Sequence, residues 1–296
     1  MKTRGKLKQR NITKENISEY CEWLYECEKS EATIKQYKKH ITLFMEYMAG
    51  RSVEKRDVII WKGNLKERLS PVTVNNILAA LNGFFSYYKW EECRAKFLKI
   101  NKNVFCSEKR DIDREEYERL VMSAYKTGDE RMALLLQTIC ATGIRVSEIQ
   151  YITVEAVSQG KAEVECKGKI RTVFLTNKLC MMLMDYANKR NIINGMIFVT
   201  RNGKALDRSN IWRGMKKLCG EAGVMCDKVF PHNFRHLFAK LYYEQEKNLV
   251  KLADILGHSN INTTRVYTRE SGRNHIKQLE KLNVLFEVYN RRPILL

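Results

Sequence analysis

The chain has 296 residues, enough for two domains with separate cores, and carries 53 Lys and Arg against 34 Asp and Glu, a formal net charge of +19. Hydrophobic residues at 44% with only 3 prolines exclude a disordered tail, a collagen-like repeat and a Pro-rich linker, and favour helices. No run reaches the roughly 20 apolar residues of a membrane helix, and no apolar segment follows the basic start MKTRGKLKQR to make a secretory signal, so a cytoplasmic protein is expected.

Residues 1–11 read as a basic arm. Apolar residues at helical spacing then predict four helices. The first spans 14–28 with Ile17, Tyr20, Cys21 and Leu24 on one face, and the second spans 31–49, capped by Ser30 and closed by Gly50. The third covers 54–68, and the fourth covers 71–89, started by Ser70 and Pro71, with Val74, Ile77, Leu78, Leu81, Phe84 and Phe85 as its buried face. Short connections make 12–97 an all-α domain. Residues 98–112 lose the periodicity and read as a linker carrying Lys99, Lys102, Lys109 and Arg110.

A second domain is expected over 113–296. The acidic stretch from Asp111 to Glu116 starts a helix over 113–126, followed by another over 129–142. Alternation at 162–165 and 170–174, around Lys167-Gly168-Lys169, predicts a β-hairpin, and Ile197-Phe198-Val199 a further short strand. Helices return thereafter, ending in one over 273–290 with Ile276, Leu279, Leu282, Leu285 and Phe286 as an apolar stripe. The expected class is therefore mainly α with a small β-sheet, the second domain being α+β.

The 9 cysteines are odd in number and scattered, as reduced, buried thiols would be. Cys219, Cys226, His232 and His236 fall in a faintly zinc-like order, but the cysteines stand too far apart for the usual site. The basic excess is not confined to a tail: residues 1–110 hold 23 basic and 13 acidic side chains, and the remainder 30 and 21. Two separately basic halves fit a nucleic-acid partner held by both domains.

Four stretches in the second half carry candidate chemistry: Thr142-Gly-Ile-Arg145-Val-Ser-Glu148, the hairpin turn at Lys167, Pro231-His232-Asn-Phe-Arg235-His236, and Leu256-Gly-His258 running on to Tyr267. Taken singly, each has a plain structural reading: a surface ion pair, a solvated turn, a helix cap, a packing tyrosine. Together, Arg145, Lys167, His232, Arg235, His258 and Tyr267, in that order, resemble the active site of the tyrosine recombinases, the lambda-integrase-like family, and most closely its two-domain Xer-like members. The wording TGIRVSE, HNFRH and LGHSNINTTRVYT carries the likeness, which covers 113 onward and, less specifically, the N-terminal helices.

The resemblance implies a core-binding domain and a catalytic domain closing as a C-shaped clamp on double-stranded DNA, in a nucleoid-associated protein. It implies a site-specific recombinase that cuts and rejoins DNA through a 3′-phosphotyrosyl bond and a Holliday junction. Metal, cofactor and ATP are not required. By the same resemblance Arg145 and Arg235 cradle the phosphate, His232 and His258 complete the cradle, and Tyr267 is the nucleophile. Lys167 is the general acid, with Lys169 as its alternative because the turn is about one residue short, and Glu148 orients Arg145. A homo-oligomer is implied, a dimer on each site and a tetramer at synapsis, with helix 273–290 either docking on a neighbouring protomer or packing within its own chain, and an accessory directionality factor as a candidate further partner. Integration and excision of a mobile element, or inversion of a segment, are the expected roles. Xer-type dimer resolution and a catalytically silent regulator on the same scaffold are the alternatives.

Overall fold

The structure is a computed structural model that describes residues 10–100, 111–166, 168–200, 202–265, 267 and 280–281. Lys167, residues 101–110, the first nine residues and most of the expected helix 273–290 lie outside the described residues. The chain divides into two compact units, Met1–Lys102 and Asn103–Leu296.

The first unit holds α1 (Lys14–Glu26), α2 (Glu31–Met48), α3 (Lys55–Arg68) and α4 (Pro71–Tyr87). Polar caps set where they begin. Thr13 and Asn16 form a reciprocal capping box, while Ser30 and Ser70 accept the N–H groups of Thr33 and Thr73. The second helix stops at Met48, one residue short of the expected end, because Ala49 already takes the left-handed turn at φ 48°. The most buried of these four helices is α4, with Val74, Leu78, Leu81, Phe84 and Phe85 all sealed from solvent. Tyr20 of α1 reaches it because Gly83 has no side chain; a Cβ there would collide with the Tyr20 hydroxyl. Asn75 and Asn82, two turns apart on α4, each exchange paired hydrogen bonds with the backbone of Leu98 and Ala95 at 2.8–3.0 Å. These amides tie the extended chain after Tyr88 to the unit and leave neither side chain unsatisfied.

The second unit opens with α5 (Arg114–Lys126), whose Asp113–Glu116 capping box explains the acidic stretch read in the sequence. The long buried α6 (Glu130–Thr142) follows, with Leu134, Leu135, Leu136 and Ile139 in the core. A 3-10 turn (Val146–Tyr151) and α7 (Val154–Ser158) lead into the hairpin of β1 (Lys161–Cys166) and β2 (Lys169–Phe174). Cys166 pairs with Lys169, leaving a two-residue turn in which Gly168 takes φ 71°. Then come α8 (Asn177–Lys189), α9 (Arg208–Lys217), α10 (Cys219–Ala222), α11 (Pro231–Glu246), α12 (Leu249–Leu256) and α13 (Ile261–Thr264).

The molecule is thus mostly helical with one two-stranded sheet among the described residues. The strand expected at Ile197-Phe198-Val199 is a correction: only single bridges form there, Thr153 to Met196 and Val199 to Ala205. Ile197 and Phe198 are apolar because they seal the core, and a turn in which the Thr200 N–H bonds Lys204 C=O at 2.7 Å reverses the chain before a ladder can grow. Among the described residues no helix is long and apolar enough to cross a membrane.

Candidate active site

Two helix C-termini meet at the site. Gly143 caps α6 at φ 63° and Gly257 caps α12 at φ 64°. Carbonyls at such ends lack intrahelical partners and carry the negative end of the helix dipole. Arginines from three other segments occupy them. Arg235 of α11 donates to Gly143 C=O and, at 2.7 Å, to Leu256 C=O. Arg171 of β2 donates to Ile255 C=O at 2.9 Å, and Arg145 reaches Gly257 C=O at 3.5 Å. Neither glycine can be replaced without moving its neighbours. A Cβ at 143 would strike the Phe238 ring, and one at 257 would strike the methylene stem of Arg171.

Three guanidinium groups this close repel, and one carboxylate holds two of them. Glu148 is 1% exposed; its Oε1 accepts from Arg145 Nη1 at 2.8 Å and its Oε2 from Arg171 Nη2 at 2.6 Å. Oε2 also accepts the Arg145 backbone N–H at 2.9 Å. Burial pushes this carboxyl up, but the Arg145 N–H bonds and the charges of Arg171 and Arg145 outweigh it and hold Glu148 below the usual carboxylate range. The sequence reading had Glu148 bracing Arg145 alone; the same carboxylate anchors Arg171 as well.

Arg235 is 2% exposed. Burial, then the charge of Arg145, lowers its guanidinium to about 10, so it stays charged at neutral pH. His258 lies beside it, with Nε2 3.1 Å from Arg235 Nη2 and Nδ1 2.9 Å from Thr264 Oγ1. A guanidinium can only donate, so Nε2 must accept, and the proton of the neutral ring sits on Nδ1 facing Thr264. Burial, with Arg235, Arg145 and Arg171 nearby, depresses this imidazole to about 4 and keeps it neutral. In this arrangement both ring nitrogens of His258 are engaged within the protein, bracing Arg235.

His232 stands in the first turn of α11, one turn before Arg235, and keeps an exposed edge. Desolvation of the rest of the ring, then the charges of Arg235, His236 and Arg145, hold it below the ordinary imidazole value. Tyr267 is 6% exposed, its ring stacked on His258 at 5.8 Å between centroids and its hydroxyl close enough to Arg235 to act on the guanidinium charge. Arg145, Glu148, His232, Arg235, His258 and Tyr267, far apart along the chain, therefore converge. Lys169 contributes its backbone to the hairpin ladder. Among the described residues, no group of three or more His, Cys, Asp or Glu side chains is placed to hold a metal ion.

Two residues at the site had no role in the sequence reading. Arg171 shares the inward face of β2 with buried Val173, while Ile170 and Phe174 point out. A charged residue in the inward register of a strand was the available signal. His236 touches Tyr267 and follows His232 by one turn of α11.

Comparison with known proteins accords with this geometry. Residues 17–92 match the N-terminal SAM-like domain of phage integrases, and residues 110–273, over half of the chain, match the Phage integrase family itself. The chain belongs to the phage integrase family. It is a tyrosine recombinase, a site-specific DNA recombination enzyme. Tyrosine recombinase XerA of Pyrococcus furiosus is 27% identical over 94% of this chain and 98% of its own. Tyrosine recombinase XerD of Oceanobacillus iheyensis is 26% identical over 81% of this chain and 88% of its own. Among solved structures, the fold is similar to XerH recombinase bound to its difH substrate, with TM-score 0.67, 22% identity, and 93% and 85% of the two chains covered. The arginine cluster of this recombinase lies within the family match, and its four-helix unit holds the N-terminal one.

Proposed function

We propose that this recombinase cleaves and rejoins duplex DNA through a covalent bond between Tyr267 and the 3′ phosphate. One observation carries the reading: Arg145, Arg235 and Tyr267 come together from three distant segments. The Tyr267 oxygen attacks the scissile phosphorus and the bond to the 5′ oxygen breaks. His232 takes the phenol proton, and Lys167, or Lys169 in its place, protonates the departing 5′ oxygen. Arg145 and Arg235 stabilise the phosphorane with charged N–H donors, so no metal enters the step. The phosphotyrosyl bond conserves the energy of the broken linkage, so a 5′ hydroxyl from the partner strand reverses the reaction without ATP. Two such exchanges form and resolve a Holliday junction between sites, each bound by a dimer.

The proposal is tested by incubating the full chain with a nicked suicide duplex in EDTA and without ATP. A covalent protein–DNA adduct is expected. No adduct would support a silent regulator instead, and dependence on a divalent ion would point to a nuclease.

The identity of the general acid is decided by a substrate with sulfur at the bridging 5′ position, which leaves without protonation. Lys167→Ala is expected to slow cleavage of ordinary DNA by about 10²- to 10⁴-fold and to cleave the sulfur substrate at nearly the wild-type rate. If Lys169→Ala shows that pattern instead, the role passes to Lys169.

The base must be neutral to accept a proton. With His232 held below the ordinary imidazole value, the acid limb of the adduct-forming rate should fall below pH ~6.5. A limb centred above that value, measured in single-turnover pH profiles, would exclude His232 as the base.

In the cell we assign the enzyme to integration and excision of a mobile element or to inversion of a segment, with an accessory factor setting direction. The end-to-end similarity to XerA favours a second reading, resolution of chromosome or plasmid dimers. Unresolved dimers in a strain lacking the gene would establish the second; loss of an excised circle or of an inverted junction would establish the first.

A further inference from the structure

The steps proposed above give His236 no task, although it touches the nucleophile. Its ring meets that of Tyr267 edge to face, with centroids 4.8 Å apart and planes at 69°. His258 stacks on Tyr267 at 17° between planes, and the Arg235 guanidinium lies near enough to feel the Tyr267 hydroxyl. Beneath the phenol lie Ala239, Leu252 and Leu256. His236 is itself held from behind: its Nδ1 faces Asp111 Oδ2 at 3.9 Å, with the two side chains 15% and 30% exposed. That distance exceeds a direct hydrogen bond, and burial holds the imidazole below its ordinary value against the pull of Asp111, so the carboxylate faces a ring that is uncharged at neutral pH.

Tyr267 stands past the end of α13, a helix that stops at Thr264, and one backbone bond, from its N–H to Thr264 C=O at 2.9 Å, ties it back. A side chain on such a short tether needs neighbours to fix its ring. We propose that His236, backed by Asp111, is a positioning residue that fixes the Tyr267 ring between itself and His258 and so sets where its hydroxyl points. The inference rests on Tyr267 being the nucleophile. Its magnitude follows from geometry, since displacement of a reacting atom by about 1 Å costs on the order of 10²-fold in rate.

The test is single-turnover cleavage of the nicked suicide duplex by the full chain, with duplex affinity and thermal unfolding measured for every variant. His236→Ala is expected to form adduct about 10- to 100-fold more slowly while binding DNA with unchanged affinity. His236→Phe keeps the ring edge against the phenol and should recover to within about 5-fold of wild type, and Asp111→Asn, which loosens the same ring without removing it, should lose no more than that. The proposal is overturned if His236→Ala cleaves at the wild-type rate or faster, or if its lost rate is matched by lost DNA affinity or folding. It is equally overturned if His236→Phe is as slow as His236→Ala, because the imidazole nitrogens would then be the requirement. Failure of the wild type to form any adduct would instead remove the nucleophile assignment on which the inference stands.

Discussion

Tyr267→Phe should abolish the covalent adduct, lowering its formation on the order of 10⁴-fold or more, because no other group takes over once the attacking oxygen is gone. Duplex binding should persist. The substitution removes one hydroxyl and leaves the ring, which still stacks on His258 and meets the edge of His236. Arg235 keeps Gly143 C=O, Leu256 C=O and His258 Nε2 as acceptors. The stability change should therefore stay within about 1.5 kcal/mol, the upper end for one ordinary hydrogen bond. Denaturing gels of a labelled nicked duplex read the adduct, and anisotropy of the same duplex reads binding. An adduct formed by the Phe variant would show that the nucleophile is another residue.

Glu148→Ala should be the most destabilising single change at the site. The carboxylate is 1% exposed and is shared by Arg145 and Arg171, so its removal leaves two guanidinium groups facing each other beside a third. Breaking a buried pair from one side costs about 3–5 kcal/mol. Cleavage should fall too, since Arg145 loses both the acceptor of its Nη1 and the bond that sets its backbone. The pH dependence has a definite sign. The folded carboxyl titrates below its unfolded value, so its stabilisation is present above the ordinary carboxylate range and is lost as pH falls through the folded-state pKa. The gap between wild type and variant, measured by urea unfolding, should be widest near neutrality and narrow in acid. An equal gap at all pH values would mean that Glu148 contributes by shape rather than by charge.

The helices were legible because their signals are local. Ser30, Ser70 with Pro71, and the Asp113–Glu116 pair each stop or start a helix through bonds within three or four residues. The hairpin was legible for the same reason, from alternation around one glycine. Ile197–Val199 misled because a short apolar run can be a strand or merely a buried turn, and the difference lies in partners distant in sequence. Arg171 escaped notice for a related reason. Its neighbours in sequence are a solvated turn and an exposed Ile170, whereas its actual partners are Glu148, 23 residues earlier, and Ile255, 84 residues later.

Residue identities and their order along the chain were enough to specify the family, the helical class and the groups available for phosphoryl transfer, because each of these is written in short motifs and in periodicity. How those groups act on one another was settled by the tertiary fold. Two helix ends turned inward supply carbonyls for three arginines, one buried carboxylate offsets their repulsion, and His258 becomes a neutral acceptor because Arg235 can only donate to it. A proton's place, a carboxylate's charge and the orientation of a phenol depend on distances between segments more than 100 residues apart, as between Arg145 and Gly257 at 3.5 Å. Desolvation and charge act through space, so only the folded chain sets them.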